Sequence, residues 1–178
     1  MSAVKQNPEL PEAERIAAAH ASAIALQEAV EFIWREADLL DAQDYAGWLA
    51  LWTEAGYYIL PIERDSEDYA AHLNVIYDDR AMREARVKRL QSGLSMSASP
   101  SARTVRTVSR FRALPDAAGA CVIRCAQHLV EYKYDRTRIL AADVSYRLLR
   151  RGQDLALDQK VVRLINSDEA LFGIGYLL

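Results

Sequence analysis

Cys121, Cys125 and His128 come first, because thiolates and imidazoles are the side chains that hold metals. Cys125 to His128 is a C-x2-H spacing, one half of the ligand set of a Rieske iron–sulfur centre, in which two cysteines and two histidines share one cluster. The complementary C-x-H half does not occur in the chain. In an extended segment Cys121 and Cys125 fall on one face and His128 on the other, so the three cannot converge on one ion. Buried strand cysteines are the ordinary reading of such a pair. The only other histidines are His20 and His72, and an iron site of two histidines and a carboxylate would have to gather its ligands from distant elements.

Acid–base chemistry is the second possibility. Asp41, Tyr57, Tyr58, His72, His128 and Asp143 could serve a pocket between helices and a curved sheet. Each also has an everyday role: Asp41 at a helix end, the tyrosines at the edge of a core, the histidines on a strand or loop. A freestanding dehydratase or isomerase working through Asp41 and His128 therefore stays open, and it requires those two residues to meet in one cavity. No Ser/His/Asp signature, Gly-rich phosphate loop or dinucleotide fingerprint occurs.

The third feature is charge. Between Arg80 and Arg112 there are nine basic residues and one acidic, Glu84, so this segment carries +8 and the rest of the chain −11. A nucleic acid could be held through its phosphates, but Phe111 is the only aromatic in the segment and the remainder of the protein would repel the polymer. A patch between subunits fits better, since complementary charge sets register and association rate. The candidate interface positions are Arg80, Arg83, Arg86 and Arg89 on a basic helix, with Arg103 and Arg106 on the strand that follows.

The elements that would position these residues can be read from periodicity. Ile16, Ala19, Ala23, Leu26, Val30, Ile33, Ala37 and Leu40 alternate steps of three and four, the stripe of a packing helix, with Ser22 a possible cap for a later start. Asp44 can cap a second helix that carries Tyr45, Trp48, Leu49 and Trp52 on one face. Gly56 turns the chain into a short strand, Tyr57 to Ile62, in which Pro61 demands an edge or terminal position. Another short strand runs from Leu73 to Tyr77, and Asp78 or Asp79 caps the helix Arg80 to Gln91. Gly93 and five serines from Ser92 to Ser101 mark a loop. The period then becomes two over 104–114, 120–134, 138–150 and 155–166, separated by short turn signals: an antiparallel meander long enough to coil under its own twist. Phe172, Ile174 and Tyr176 suggest a last strand or a docked tail. Helices followed by such a sheet predict an α+β fold.

The chain has 178 residues, which predicts one domain over 1–178 with a loose N-terminal extension over 1–15. A net charge of −3 with 51% apolar residues excludes wholesale disorder. Two cysteines cannot form a secreted disulfide framework, and no apolar run reaches the ~20 residues of a membrane helix. Without the apolar core of a signal peptide at the start, the cytoplasm is the expected compartment.

Two stretches carry a family resemblance. READLLDAQDYAGWLALWTEAGYYILPI (35–62) and IYDDRAMREARVKRLQSGLSMSASPSARTVRTVSRF (76–111) contain E-A-x-L-L-D, W-L-x-L-W, Y-x-x-P, Y-D-D-R and P-S-x-R-T-x-R-x-V-S in order. The chain so resembles the small (beta) subunit of bacterial aromatic-ring-hydroxylating dioxygenases, with weaker similarity through QKVVRLINSDEALFGIGYLL. The resemblance implies a cone of the nuclear-transport-factor-2-like class, N-terminal helices packed on a long curved, mainly antiparallel sheet. It implies a large (alpha) catalytic partner carrying a Rieske 2Fe-2S cluster and a mononuclear iron, commonly three of each subunit. It also implies conversion of arenes to cis-dihydrodiols with electrons from NAD(P)H, and no cofactor or catalytic residue in the small subunit itself. Two departures stand out: Arg110 where many members have Asn after V-S, and Leu94 and Met96 where an aromatic is often found.

Overall fold

A computed structural model describes residues 24–92, 101–115, 120–167 and 174–178. Helix α1 (Leu26–Asp41) is followed by α2 (Tyr45–Ala50), β1 (Trp52–Pro61), β2 (Asn74–Asp78), α3 (Arg80–Gln91) and four long strands. These are β3 (Arg103–Leu114), β4 (Cys121–Lys133), β5 (Arg136–Arg151) and β6 (Asp154–Leu164). They form one six-stranded sheet in the order β2-β1-β6-β5-β4-β3. Every pairing is antiparallel except β1 with β6. The helices cover the inner face, and the core lies between them and the sheet.

The expected meander from 104 to 166 is present with its ends shifted by a few residues. Tyr134 and Asp135, both at positive φ, make a two-residue turn between β4 and β5 of the primed kind that matches strand twist. Asp44 and Asp79 cap α2 and α3, accepting from the N–H groups of Gly47 and Met82 at 2.9 Å each. Pro61 ends β1, where its missing N–H costs least.

Other expectations need correction. Trp52 begins β1 rather than continuing the aromatic helix, because α2 stops at Ala50. Leu26 is exposed, and the buried stripe of α1 is instead Ala29, Val30, Phe32, Ile33, Glu36, Ala37 and Leu40. Leu73 lies outside β2 and is exposed. The helix start at Ile16, the Ser22 cap, the 1–15 extension, the loop from Gly93 to Pro100 and Phe172 fall outside the described residues.

Two irregularities shape the sheet. The β1–β6 register shifts between Trp52 and Tyr57, and a Cβ on Gly56 would sit 2.9 Å from the Asp158 carbonyl oxygen, so only glycine fits. In β3 the register shifts between Ser109 and Arg112, with Arg110 left-handed at φ 58.

The tail docks rather than forming a strand. Leu177 and Leu178 are buried; the Tyr58 hydroxyl accepts from the Leu178 N–H at 2.9 Å and donates to the Leu178 carbonyl at 3.2 Å. Arg106 donates to the Leu177 carbonyl, and Tyr176 donates to Glu131. The tail thus ties β1 to β3 and β4 across the inner face. Tyr58→Phe leaves a buried N–H and carbonyl without their partner, and is expected to lower stability by about 1–3 kcal/mol in urea unfolding at constant m-value.

Candidate functional site

An enzyme of this architecture would need a cavity on the concave side of the sheet. Among the described residues, aromatic side chains and a buried ion pair occupy that space. Trp48 lies edge-on to Trp52 and Tyr58, with centroids 5.2 and 5.7 Å away. Beside them Glu36 of α1 and Lys160 of β6, both fully buried, form an ion pair at 2.7 Å. The same carboxylate accepts from Trp48 Nε1 at 2.9 Å and from the Tyr146 hydroxyl at 3.1 Å. Three donors compensate the desolvation of one buried carboxylate.

Burial shifts the ionisable groups around this pair. Burial pushes the Tyr58 and Tyr146 hydroxyls up from their ordinary value, so both stay protonated donors. Burial pulls the Lys160 ammonium down from its ordinary value, with Glu36 opposing that shift. The Cys125 thiol, next to the Val144 carbonyl, is pushed by burial to about 12, which removes it as a nucleophile near neutrality.

The sequence candidates are dispersed. Cys125 is buried on the inner face of β4 while His128 is exposed on the outer one, so the C-x2-H pair cannot chelate. These residues do not fit a Rieske cluster, and among the described residues no group of three or more His, Cys, Asp or Glu is placed to hold a metal. Asp41, at the end of α1, accepts from Thr104 Oγ1 and the Arg106 N–H at 2.7 Å each and from the Arg106 guanidinium. It closes the free edge of β3 from the inner side, whereas His128 lies beyond the sheet. The acid–base pair required for a freestanding dehydratase or isomerase therefore does not form. His72 meets Glu63 at 3.3 Å on an exposed loop, Tyr57 packs on Tyr77, and Asp143 is surrounded by Arg64, Arg110 and Arg124 at 3.5, 2.6 and 3.6 Å.

The six candidate interface arginines divide. Arg83 is only 2% exposed: it donates to the Gly56 and Thr53 carbonyls and stacks 4.2 Å over Trp52. Arg106 is 8% exposed and serves Asp41 and the tail. Arg86 forms a two-pronged pair with buried Asp78 at 2.5 and 3.0 Å, and Arg80 pairs with Glu54 and Glu84. Arg89 and Arg103 are exposed, Arg103 with its guanidinium over the Tyr132 ring.

Neither Glu36 nor Lys160 stood out as chemistry in the sequence, yet both left a signal. Glu36 falls three residues after Ile33 and four before Leu40, inside the apolar stripe. Lys160 shares the inward parity of Val162 and Leu164.

Clefts formed by described residues open at the surface. One of about 870 Å³ lies at the loop 62–68, and one of about 320 Å³ lies between that loop and Arg124, Asp143 and Arg163. A third, of about 300 Å³, opens between α2, β1 and α3 and is lined in part by Trp52, Thr53, Arg80 and Arg83.

A helix-packed, tail-closed cone of this topology is a nuclear-transport-factor-2-like fold. A solved NTF2-like protein of cystatin-like fold from Novosphingobium aromaticivorans aligns over 86% of this chain and 88% of its own, with a TM-score of 0.54 and 14% identity. The beta subunit of benzoate 1,2-dioxygenase from Burkholderia mallei aligns over 86% of this chain and 98% of its own, with a TM-score of 0.71 and 22% identity. In sequence, the small oxygenase component of the p-cumate 2,3-dioxygenase system of Pseudomonas putida is 31% identical over 144 residues, 79% of each chain. Toluate 1,2-dioxygenase subunit beta of Pseudomonas putida is 28% identical over 116 residues, 62% of this chain and 72% of its own. The family described as "Ring hydroxylating beta subunit" matches residues 35–168, and the chain belongs to that family. It is a small-subunit component of a ring-hydroxylating dioxygenase, with a large subunit as partner. No described helix is long and apolar enough to cross a membrane.

Two expected outcomes follow from the packed interior. Lys160→Met removes the counter-charge of buried Glu36, leaving it only the Trp48 and Tyr146 donors, and should cost about 3–5 kcal/mol in urea unfolding. Adding Glu36→Gln, whose amide oxygen in the Oε1 position still accepts from Trp48 while its NH2 in the Oε2 position donates to the Tyr146 hydroxyl oxygen, should recover most of that loss. The Cys125 thiol keeps its proton when folded but loses it near its ordinary 9.0 when unfolded, so its stabilising contribution is complete below pH 9 and is lost as pH rises toward about 12. Cys125→Ala should therefore lose less stability than wild type between pH 9 and 10.5; parallel urea midpoints across that window would contradict the assignment.

Proposed function

We propose that this chain is the non-catalytic, structural subunit of a multicomponent dioxygenase that converts arenes to cis-dihydrodiols in aromatic-compound catabolism. The observation that carries this reading is the packed concave face, where Glu36, Lys160, Trp48 and Tyr146 occupy the volume a substrate would need. In this reading the whole chain acts as one domain in the cytoplasm. The Rieske 2Fe-2S cluster and the mononuclear iron are carried by the large subunit, and three large subunits join three small ones.

What this chain supplies is a rigid body and a docking surface. The basic segment contributes through the arginines that reach solvent, Arg80, Arg86, Arg89 and Arg103, while Arg83 and Arg106 hold α3 and β3 in place from within. Exposed charges of this kind set association rate and salt dependence more than affinity.

Co-expression with the adjacent reading frame, where that frame encodes C-x-H and C-x2-H, should give a brown complex larger than either chain on a sizing column. A colourless chain that turns over a substrate alone would overturn the reading. Arg89→Glu with Arg103→Glu should leave the fold intact, slow association by roughly tenfold at low salt and flatten its salt dependence. Unchanged association kinetics would remove these arginines from the interface.

A further inference from the structure

We propose that the large subunit docks on the outer face of β3–β5, on an apolar strip bordered by arginines; this rests on the small-subunit reading above. Alternation along β4 and β5 sends Leu129 and Leu140 into the core and Val130 and Ile139 outward. Val105, Val130 and Ile139 are direct cross-strand partners in adjacent strands and are 65%, 40% and 65% exposed. Tyr132 prolongs the strip along β4, and exposed Ile165 follows β6, its N–H bonded to Ala141 beside Ile139. Together these five side chains offer on the order of 500 Å² of apolar surface, the size of the largest patch on a typical monomer. That is more than half of what one partner brings to a standard interface of roughly 800 Å² a side.

The same sheet face is treated differently at its other end. Ile59 and Val161 also point outward, opposite in parity to inward Tyr58 and Lys160, yet both are buried. The loop 62–73 folds over that end, where Tyr69 meets Arg163 and Arg64 meets Asp143. The fold therefore covers its outward β-branched residues where its own chain reaches them. The three-strand row at the β3 end, on an edge strand, is left for something else to cover.

Charge selects the occupant. The strip is bordered by Arg103, stacked on Tyr132, and by Arg110 and Arg124, whose side chains are 65% and 57% exposed. Among the described residues, the acids on this face include Asp143, already shared by three arginines, and Asp135, which accepts from the Tyr132 hydroxyl. A second copy docked face to face about a two-fold axis would set arginine borders against each other. A large-subunit surface with an apolar centre and carboxylates around it matches both the centre and the border. Thr107 and His128, adjacent in the strip, add hydrogen-bonding groups to it.

The test uses the full chain and the large subunit that co-purifies with it on co-expression. Ile139→Glu should keep the circular dichroism spectrum and urea midpoint of wild type and bind the large subunit at least tenfold more weakly, whereas Ile139→Val should bind within about twofold. Thr107→Cys, which does not perturb packing, should react with a maleimide in the free chain and be protected in the complex. Wild-type affinity in Ile139→Glu, or unprotected labelling of Thr107→Cys in the complex, would overturn this docking face and leave the subunit reading standing. Self-association of the chain that Ile139→Glu abolishes while large-subunit binding persists would assign the face to a second copy instead. A wild-type chain that never binds the large subunit would overturn the subunit reading, and this proposal with it.

Discussion

The interior depends on one buried carboxylate. Glu36 sits in the middle of an apolar helical stripe, where an ionised side chain costs several kcal/mol unless it is fully compensated. Its compensation comes from three elements: Trp48 on α2, Tyr146 on β5 and Lys160 on β6. Each donor can satisfy it in one arrangement only, so the pair fixes how far the helices approach the sheet and in what rotation. Leucines alone would bury the same surface with more freedom of register, because dispersion and hydrophobic contact have little directionality.

The same arrangement bears on what the concave face can do. A catalytic pocket needs free volume and at least one polar group left to meet a substrate. Around Glu36 the titratable side chains each meet a neighbour and burial holds the tyrosines and Cys125 in their neutral forms, while Trp52 Nε1 and Gln127 Oε1 are buried without a partner. The tail closes the arrangement by bridging Tyr58, Arg106 and Glu131 across the inner face. Rigidity, rather than reactivity, is the product of this chemistry, and it suits a body whose surface must be presented in one shape.

Much of this plan was legible in the sequence because it rests on local signals. Asp44 and Asp79 announce helix starts through side chains that bond within three residues, and the period-two pattern from Thr104 onward announces the meander. What was not legible depends on long-range pairing. The parallel β1–β6 contact joins segments about a hundred residues apart, and nothing in Trp52 to Pro61 distinguishes a strand inserted beside β6 from an edge. Trp52 fits the helical spacing of Trp48 and Leu49 equally well, and its place in β1 follows from packing on Trp48 and Arg83. The arginines illustrate the same limit: a +8 segment reads as a surface, but Arg83 and Arg106 are drawn inside by carbonyls and a carboxylate contributed from elsewhere in the chain. Sequence counts charges; only the fold says which of them reach solvent.

Arg110 shows how a departure from family habit can be physically coherent. Its φ of 58 places it in the left-handed region, where Asn is tolerated and a long side chain costs about 1 kcal/mol. The Asn that the family resemblance implies at this point is a residue such a bulge favours. The bulge between Ser109 and Arg112 re-aims the side chain, and here it brings the Arg110 guanidinium to 2.6 Å from Asp143 two strands away. An exposed pair of this kind contributes up to about 1 kcal/mol, the same size as the backbone cost it accompanies. The substitution is therefore close to neutral for the fold while adding a positive charge to the outer face beside Arg124. Selection on stability would have little purchase on such an exchange, whereas selection on what the outer face presents would see a whole unit of charge.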